Sequence, residues 1–328
     1  MPIHYFFIGL LSCLAGLFFI PLSKKFVLKY KISSSHGVPL AGGVNIGLSF
    51  FAVCFLALLF YHHLSNEVTG ILIASFIMLL FGIVDDRREL SVSAKFLVQA
   101  IATAVLVSFG VRAQIVYIGN LLNIVITFIW VLAITNAFNH LDITDGLAGG
   151  IAIISSLGFF VISVLNNDVA MGILTLSLAS ASLSFLIYNL PPAKIYLGNS
   201  GSHFLGFILA AIALAISYAP LGRKVALFSP LLILGFPIFD TVFLILMRLR
   251  KKKTPFKKSN DHFALRLLKS GCPKNKTLVL MLLLCSFFVF FGIALSKTSN
   301  LYGGAIISVV ILSCFWMTAK MAQVKIDE

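Results

Sequence analysis

The sequence predicts an all-α polytopic membrane protein, and three observations carry that reading. Of its 328 residues, 59% are hydrophobic and 11% are charged, against about a quarter charged in an average soluble domain. The mean hydropathy of +1.04 is too apolar for a water-soluble globule and excludes intrinsic disorder. Apolar runs of roughly bilayer-spanning length recur at near-even spacing along the chain. One integral-membrane domain over 1–328, with a basic loop at about 249–276, is the expected organisation.

Taken in order, the predicted spans are 4–22, 40–62, 69–84, 94–111, 120–138, 146–165, 169–190, 203–219, 225–248, 277–295 and 303–319, eleven in all. The first reads as a retained span. Its leading residues MPIHYFF hold no Lys or Arg, while Lys24, Lys25, Lys29 and Lys31 follow the apolar run. A secretory signal has the opposite charge order. With the N-terminus outside, the connectors assigned to the inner face hold 21 of the 25 basic residues and the outer ones hold 4. That asymmetry satisfies the positive-inside rule and puts the C-terminus in the cytoplasm. Of the eleven acids, only Glu67 and Asp168 fall outside. The net charge of +14 therefore describes a basic cytoplasmic surface, one that attracts anionic lipids or a soluble nucleotide. Nucleic acid is not an expected partner, because no soluble basic domain exists to hold it. The five cysteines are scattered without metal-ligand spacing and read as packing residues.

Polar residues concentrate in five segments at the inner ends of these spans. His36-Gly37-Val38-Pro39-Leu40-Ala41-Gly42-Gly43 enters the second span through a turn, since Pro39 disfavours helix at Val38. Asp85-Asp86-Arg87-Arg88 ends the third span. Either the arginines neutralise the acids, or the acids share a cation or proton at the hydrocarbon edge. Lys95 and Gln99 follow, four apart on one helix face. Asn136-Ala-Phe-Asn139-His140-Leu-Asp142-Ile-Thr-Asp145-Gly146 offers many oxygen ligands and few cations. It is expected to leave the helix near Asn139 and re-enter one near Gly146. Gly198-Asn199-Ser200-Gly201-Ser202-His203 opens a helix, either with free N–H groups for phosphate oxygens or with Ser200 or Ser202 as an ordinary cap. Pro237-Ile-Phe-Asp240 predicts a kinked ninth span with a buried acid. In the loop beyond it, Asp261–Leu267 reads as a short amphipathic helix, and His262 is a proton carrier in waiting or a bystander.

Together these segments resemble the polyprenyl-phosphate N-acetylhexosamine-1-phosphate transferases, in the branch that handles undecaprenyl phosphate and GlcNAc-1-phosphate. The resemblance rests on HGVPLAGG, GIVDDRREL with Lys95 and Gln99, NAFNHLDITDGLAGG, YLGNSGSHFLGF, and PIFD followed by TPFKKSNDHFALRL, in family order. It implies transfer of a sugar 1-phosphate from a UDP-N-acetylhexosamine to undecaprenyl phosphate with release of UMP. Such a step starts a lipid-linked glycan for cell wall, lipopolysaccharide or O-antigen. It implies a bacterial inner-membrane enzyme whose site faces the cytoplasm and uses Mg²⁺, with Mn²⁺ as a substitute. Catalytic roles are implied for Asp85, Asp86, Asp145 and His262. Substrate contacts are implied at His36, Lys95, Asn136, Asn139, Gly198, Ser202 and Arg266, and metal ligation at Asp142, Asp145 and Asn199. Anionic lipids and a homo-oligomer are compatible partners.

Two departures stand out. The family shows Gly-Asp-x-Gly-Ser where this chain has Gly198-Asn199-Ser200-Gly201-Ser202, so a neutral carbonyl replaces a carboxylate ligand. The histidine motif is a single Asp261-His262-Phe263, which points away from the phospho-muramoyl-pentapeptide branch. Two alternatives stay open on the sequence: a secondary transporter, for which Asp240 below Pro237 is the suitable feature, and a catalytically weakened family member, because of Asn199.

Overall fold

Helix follows helix in the computed structural model of the chain, which describes residues 3–30, 34–35, 37–218, 223–252 and 261–324. Two compact units divide it, Met1–Ser217 and Tyr218–Glu328. Among the described residues nine helices are long and apolar enough to cross a membrane. The chain is a multi-pass all-α membrane protein.

The first unit holds α1 (Ile3–Lys29), α2 (Gly42–Phe60), α3 (Asn66–Arg87), α4 (Val92–Ser108), α5 (Gly119–Leu141), α6 (Leu147–Leu165), α7 (Val169–Asn189) and α8 (Gly198–Ala215). Their starts follow local chemistry. Ser65, Ser91 and Asp168 each accept the N–H of the residue three positions on, capping α3, α4 and α7. Between α1 and α2, the two-residue strands β1 (Ser34–Ser35) and β2 (Val38–Pro39) pair antiparallel. This is the turn that Pro39 predicts.

α8 is the hub of this unit. It is buried along nearly its whole length and packs mainly against α3, α5 and α2. Close contact depends on missing side chains: a Cβ on Gly82 of α3 would lie 2.3 Å from the Cα of Ser200. Small residues at helix crossings suit a membrane, where lipid tails offer no less apolar contact than another helix does. The outward faces stay apolar, as at Phe18 of α1 and Ile129 of α5.

In the second unit a 3₁₀ turn (Lys224–Phe228) leads into α9 (Ser229–Ile233), then α10 (Gly235–Arg250), α11 (Phe263–Lys269), α12 (Lys274–Lys297) and α13 (Asn300–Met321). The expected kink at Pro237 falls elsewhere. The chain bends by 73° ahead of Gly235, and Pro237 sits in the first turn of α10, where a missing N–H costs little. The segment expected at 94–111 is the 17-residue α4, shorter than the other spans.

Candidate active site

The polar segments of the first unit meet at one end of its bundle. The C-termini of α3, α5 and α7 and the N-termini of α2, α4, α6 and α8 supply them. The entry to α2 is tied by backbone to the residues just before α8. Gly42 and Gly43 donate to the carbonyls of Tyr196 and Leu197, and Tyr196 donates to that of Pro39. HGVPLAGG and YLGNSGS are thus one structural piece. His36 lies outside the described residues.

Asp85 and Asp86, 2% and 6% exposed, turn to different partners. Asp85 accepts from the Lys95 ammonium at 2.7 Å and from the Leu90 amide at 2.8 Å. Asp86 accepts from the amides of Asn199 at 2.6 Å and Ser200 at 3.0 Å, across 113 and 114 residues of chain. Two amides in the first turn of α8 are therefore capped by a carboxylate from α3, and among the described residues no side chain of Ser200 or Ser202 caps the helix. Gly198 permits this approach: its φ is +75°, and a Cβ there would stand 2.7 Å from the Asp86 oxygen. Neither arginine neutralises the pair. Among the described residues Arg87 and Arg88 make no ion pair with them, and Lys95 and backbone amides take that part.

α5 carries a ladder of amides toward the same end. Asn136 and Gln99 exchange hydrogen bonds at 2.8 and 3.4 Å. One turn on, Asn139 donates to the side-chain oxygen of Asn199 at 3.1 Å and to Ser202 Oγ at 2.9 Å. The helix runs to Leu141, two residues past the expected exit. The corner to α6 is then held by Asn189, which accepts from the Gly146 amide at 2.8 Å. Asp145 accepts from the Ala193 amide at 3.3 Å.

Asp142, just beyond α5, differs from the other acids. Its side chain is open to water, and among the described residues no hydrogen-bond donor reaches its carboxylate. It is nonetheless set deep among protein atoms. Desolvation first, then the charges of Asp86 and Asp145, push its pKa up to about 7. The charges of Asp86 and Asp145 bear on Asp142, and a cation there would relieve them. Among the described residues no three His, Cys, Asp or Glu side chains form a metal cage. Mg²⁺ does not need one, because it is commonly held by one or two carboxylates plus substrate phosphates and water. The donor set fits the ion on those terms.

Sequence reasoning missed His203. It is fully buried on α8, with Nε2 3.9 Å from an Asp85 oxygen. Its position four residues after Asn199, on the same helix face, was the available signal.

The second unit has its own polar cluster. Asp240, 2% exposed, accepts from the Phe263 amide at 3.0 Å and meets His262 Nδ1 at 2.8 Å. Asp261 pairs with Lys251 at 2.9 Å and with Arg266. The guanidinium of Arg266, expected at substrate, also donates to the carbonyls of Met321 and Val324 at 3.1 and 2.6 Å and is itself 2% exposed. His262 is the N-cap residue of the predicted amphipathic helix, α11.

The first unit is thus a multi-span bundle with acids and amides gathered at one end, and the second holds a histidine oriented by an acid. Residues 68–217 match the model of glycosyl transferase family 4. A Bacillus subtilis "probable undecaprenyl-phosphate N-acetylglucosaminyl 1-phosphate transferase" is 31% identical over 75% of this chain and 71% of its own. The Thermotoga maritima undecaprenyl-phosphate alpha-N-acetylglucosaminyl 1-phosphate transferase is 34% identical over 79% of this chain and 77% of its own. The Mycolicibacterium smegmatis decaprenyl-phosphate N-acetylglucosaminephosphotransferase is 30% identical over 76% and 70%. The chain belongs to this family of polyprenyl-phosphate N-acetylhexosamine-1-phosphate transferases, and it is a phosphotransferase enzyme. The transporter alternative is thereby set aside.

Proposed function

We propose that the protein transfers an N-acetylhexosamine 1-phosphate, with GlcNAc-1-phosphate the first candidate, from its UDP-sugar to undecaprenyl phosphate. The observation that carries this reading is the meeting of Asp85, Asp86, Asn139, Asp142, Asp145 and Asn199 within the matched region. An oxygen of the lipid phosphate attacks the β-phosphorus of the donor. A new P–O bond forms, the bond from that phosphorus to the bridging oxygen breaks, and UMP leaves with the electron pair. A lipid phosphate is already anionic near neutral pH, so alignment and charge neutralisation are the main tasks.

Asp142 and Asp145 would hold Mg²⁺ or Mn²⁺, with the Asn199 carbonyl alongside. When bound, the ion supplies positive charge to the donor diphosphate. Asn139 fixes the Asn199 side chain and Ser202 through its two N–H groups. Both oxygens of Asp85 are engaged, which suits it to hold Lys95 toward an incoming phosphate more than to take a proton. The Lys95 side chain is 19% exposed and can meet that phosphate. His262, oriented by Asp240, is the candidate catalytic side chain of the second unit. The charge asymmetry of the connectors supports a site at the cytoplasmic side of a bacterial inner membrane.

The test is an assay on purified membranes with undecaprenyl phosphate and a panel of UDP-N-acetylhexosamines, with and without Mg²⁺. UMP release with one donor, abolished by chelation, is expected. No UMP from any UDP-sugar would overturn the reading.

A further inference from the structure

The C-terminal ends of α1 and α3 enclose an open groove of about 440 Å³, lined by Phe26, Tyr30, Ile83, Val84, Arg87 and Arg88. It lies on the far side of α3 from the acids. Val84 and Arg87 are three residues apart and share a stripe of the helix, whereas Gly82 and Asp86, four apart, face α8.

Two properties of this groove call for an occupant. Phe26, Tyr30 and Val84 are exposed apolar walls, 40%, 47% and 52% accessible. Arg87 and Arg88 are exposed at the same end. They follow directly after two aspartates, yet those acids are committed to Lys95 and to the α8 amides. Among the described residues no acid neutralises either guanidinium. Lys29, its ammonium 5.5 Å from the centre of the Tyr30 ring, adds a third cation on the α1 wall.

An apolar trough ending in guanidinium groups matches the chemistry of a lipid with an anionic head. Guanidinium groups recognise phosphate through paired N–H donors, and basic residues at a membrane surface attract anionic head groups. We propose that the groove binds an anionic phospholipid of the surrounding leaflet, its acyl chain against Phe26, Ile83 and Val84 and its phosphate between Arg87 and Arg88. The reacting acceptor is a poor occupant, because its phosphate must reach the opposite face of α3, where Asp85, Asp86 and Lys95 lie. The bound lipid secures the last turn of the helix whose other face caps α8. This site does not depend on the identity of the donor or the acceptor.

The experiment uses the full chain, exchanged from detergent into nanodiscs of phosphatidylcholine with or without phosphatidylglycerol, then released and weighed by native mass spectrometry. Wild-type protein should retain phosphatidylglycerol over phosphatidylcholine by about thirtyfold at low salt, the factor two surface arginines contribute. The preference should shrink as salt is raised. Arg87→Gln combined with Arg88→Gln should abolish it. Val84→Trp, which fills the trough and leaves the charges intact, should lower retention of the lipid while UMP release in phosphatidylcholine stays at the wild-type level. Equal retention by the arginine variant, or no effect of Val84→Trp, would overturn the proposal. So would displacement of the retained lipid by stoichiometric undecaprenyl phosphate, which would make the groove an acceptor site.

Discussion

The Asp86 carboxylate closes the N-terminus of α8 by accepting the Asn199 amide at 2.6 Å. A negative charge there completes backbone donors that have no partner within the helix, and it is favoured by the helix dipole. The bond also fixes the ends of α3 and α8 to each other, at the residues where the family motif departs from its usual form.

Asp86→Ala should therefore cost both stability and turnover. Hydrogen bonds to a charged group contribute about 1.5–3 kcal/mol each, and two backbone donors would lose their acceptor. The apparent Tm of the purified protein should fall by about 4 °C or more, with UMP release reduced in parallel. An unchanged Tm would show that the cap is dispensable.

Asp142 makes stability depend on pH in an unusual direction. Its folded-state pKa of about 7 lies above the ordinary 3.8, so between those values the folded protein holds a proton that the unfolded chain has released. Stability from this group is complete below about pH 4 and is lost as pH rises toward 7. In chelator, Asp142→Asn should melt higher than wild type by a margin that grows from pH 5 to pH 8, and Mg²⁺ should erase that margin. A margin independent of pH would refute the account. The same competition between proton and cation predicts that Mg²⁺ activation of the wild type weakens below about pH 7.

Asn199→Asp should lower the Mg²⁺ concentration needed for half-maximal turnover. A carboxylate is a stronger ligand for a hard cation than an amide oxygen, and Asn139 can donate to either. The expectation is a wild-type enzyme that turns over without the change. Near-zero wild-type activity, restored by Asn199→Asp, would instead establish the weakened enzyme that the sequence leaves open.

His262→Ala should reduce turnover by about a hundredfold or more if the imidazole handles a proton or a phosphate oxygen, while the Tm moves little. Asp240→Ala should reduce turnover and Tm together, since it also strips the Phe263 amide of its acceptor. Equal turnover in His262→Ala and wild type would remove the histidine from the reaction.

Much of this architecture was legible from apolar run length, because a bilayer permits few alternatives to helix. Helices stand at all eleven expected segments, and Pro39 correctly announced a turn. The ninth segment misled at Pro237, since sequence alone does not show whether a proline lies inside a helix or at its start. Long-range pairing was the larger blind spot. The acids at 85 and 86 read either as neutralised by Arg87 and Arg88 or as sharing a cation or proton, yet the partners they have lie 10 and 113 residues away. His203 could be placed on the helix face of Asn199 by spacing, but its approach to Asp85 at 3.9 Å is a product of folding.

The link from residue 86 to residue 199 also orders biogenesis. A nascent chain inserts its third span long before the eighth emerges from the ribosome. Until then a carboxylate at the edge of the bilayer waits for its amides, and the half-made protein presents an unfinished polar end. A product truncated ahead of Gly198 would lack both amide partners of that carboxylate.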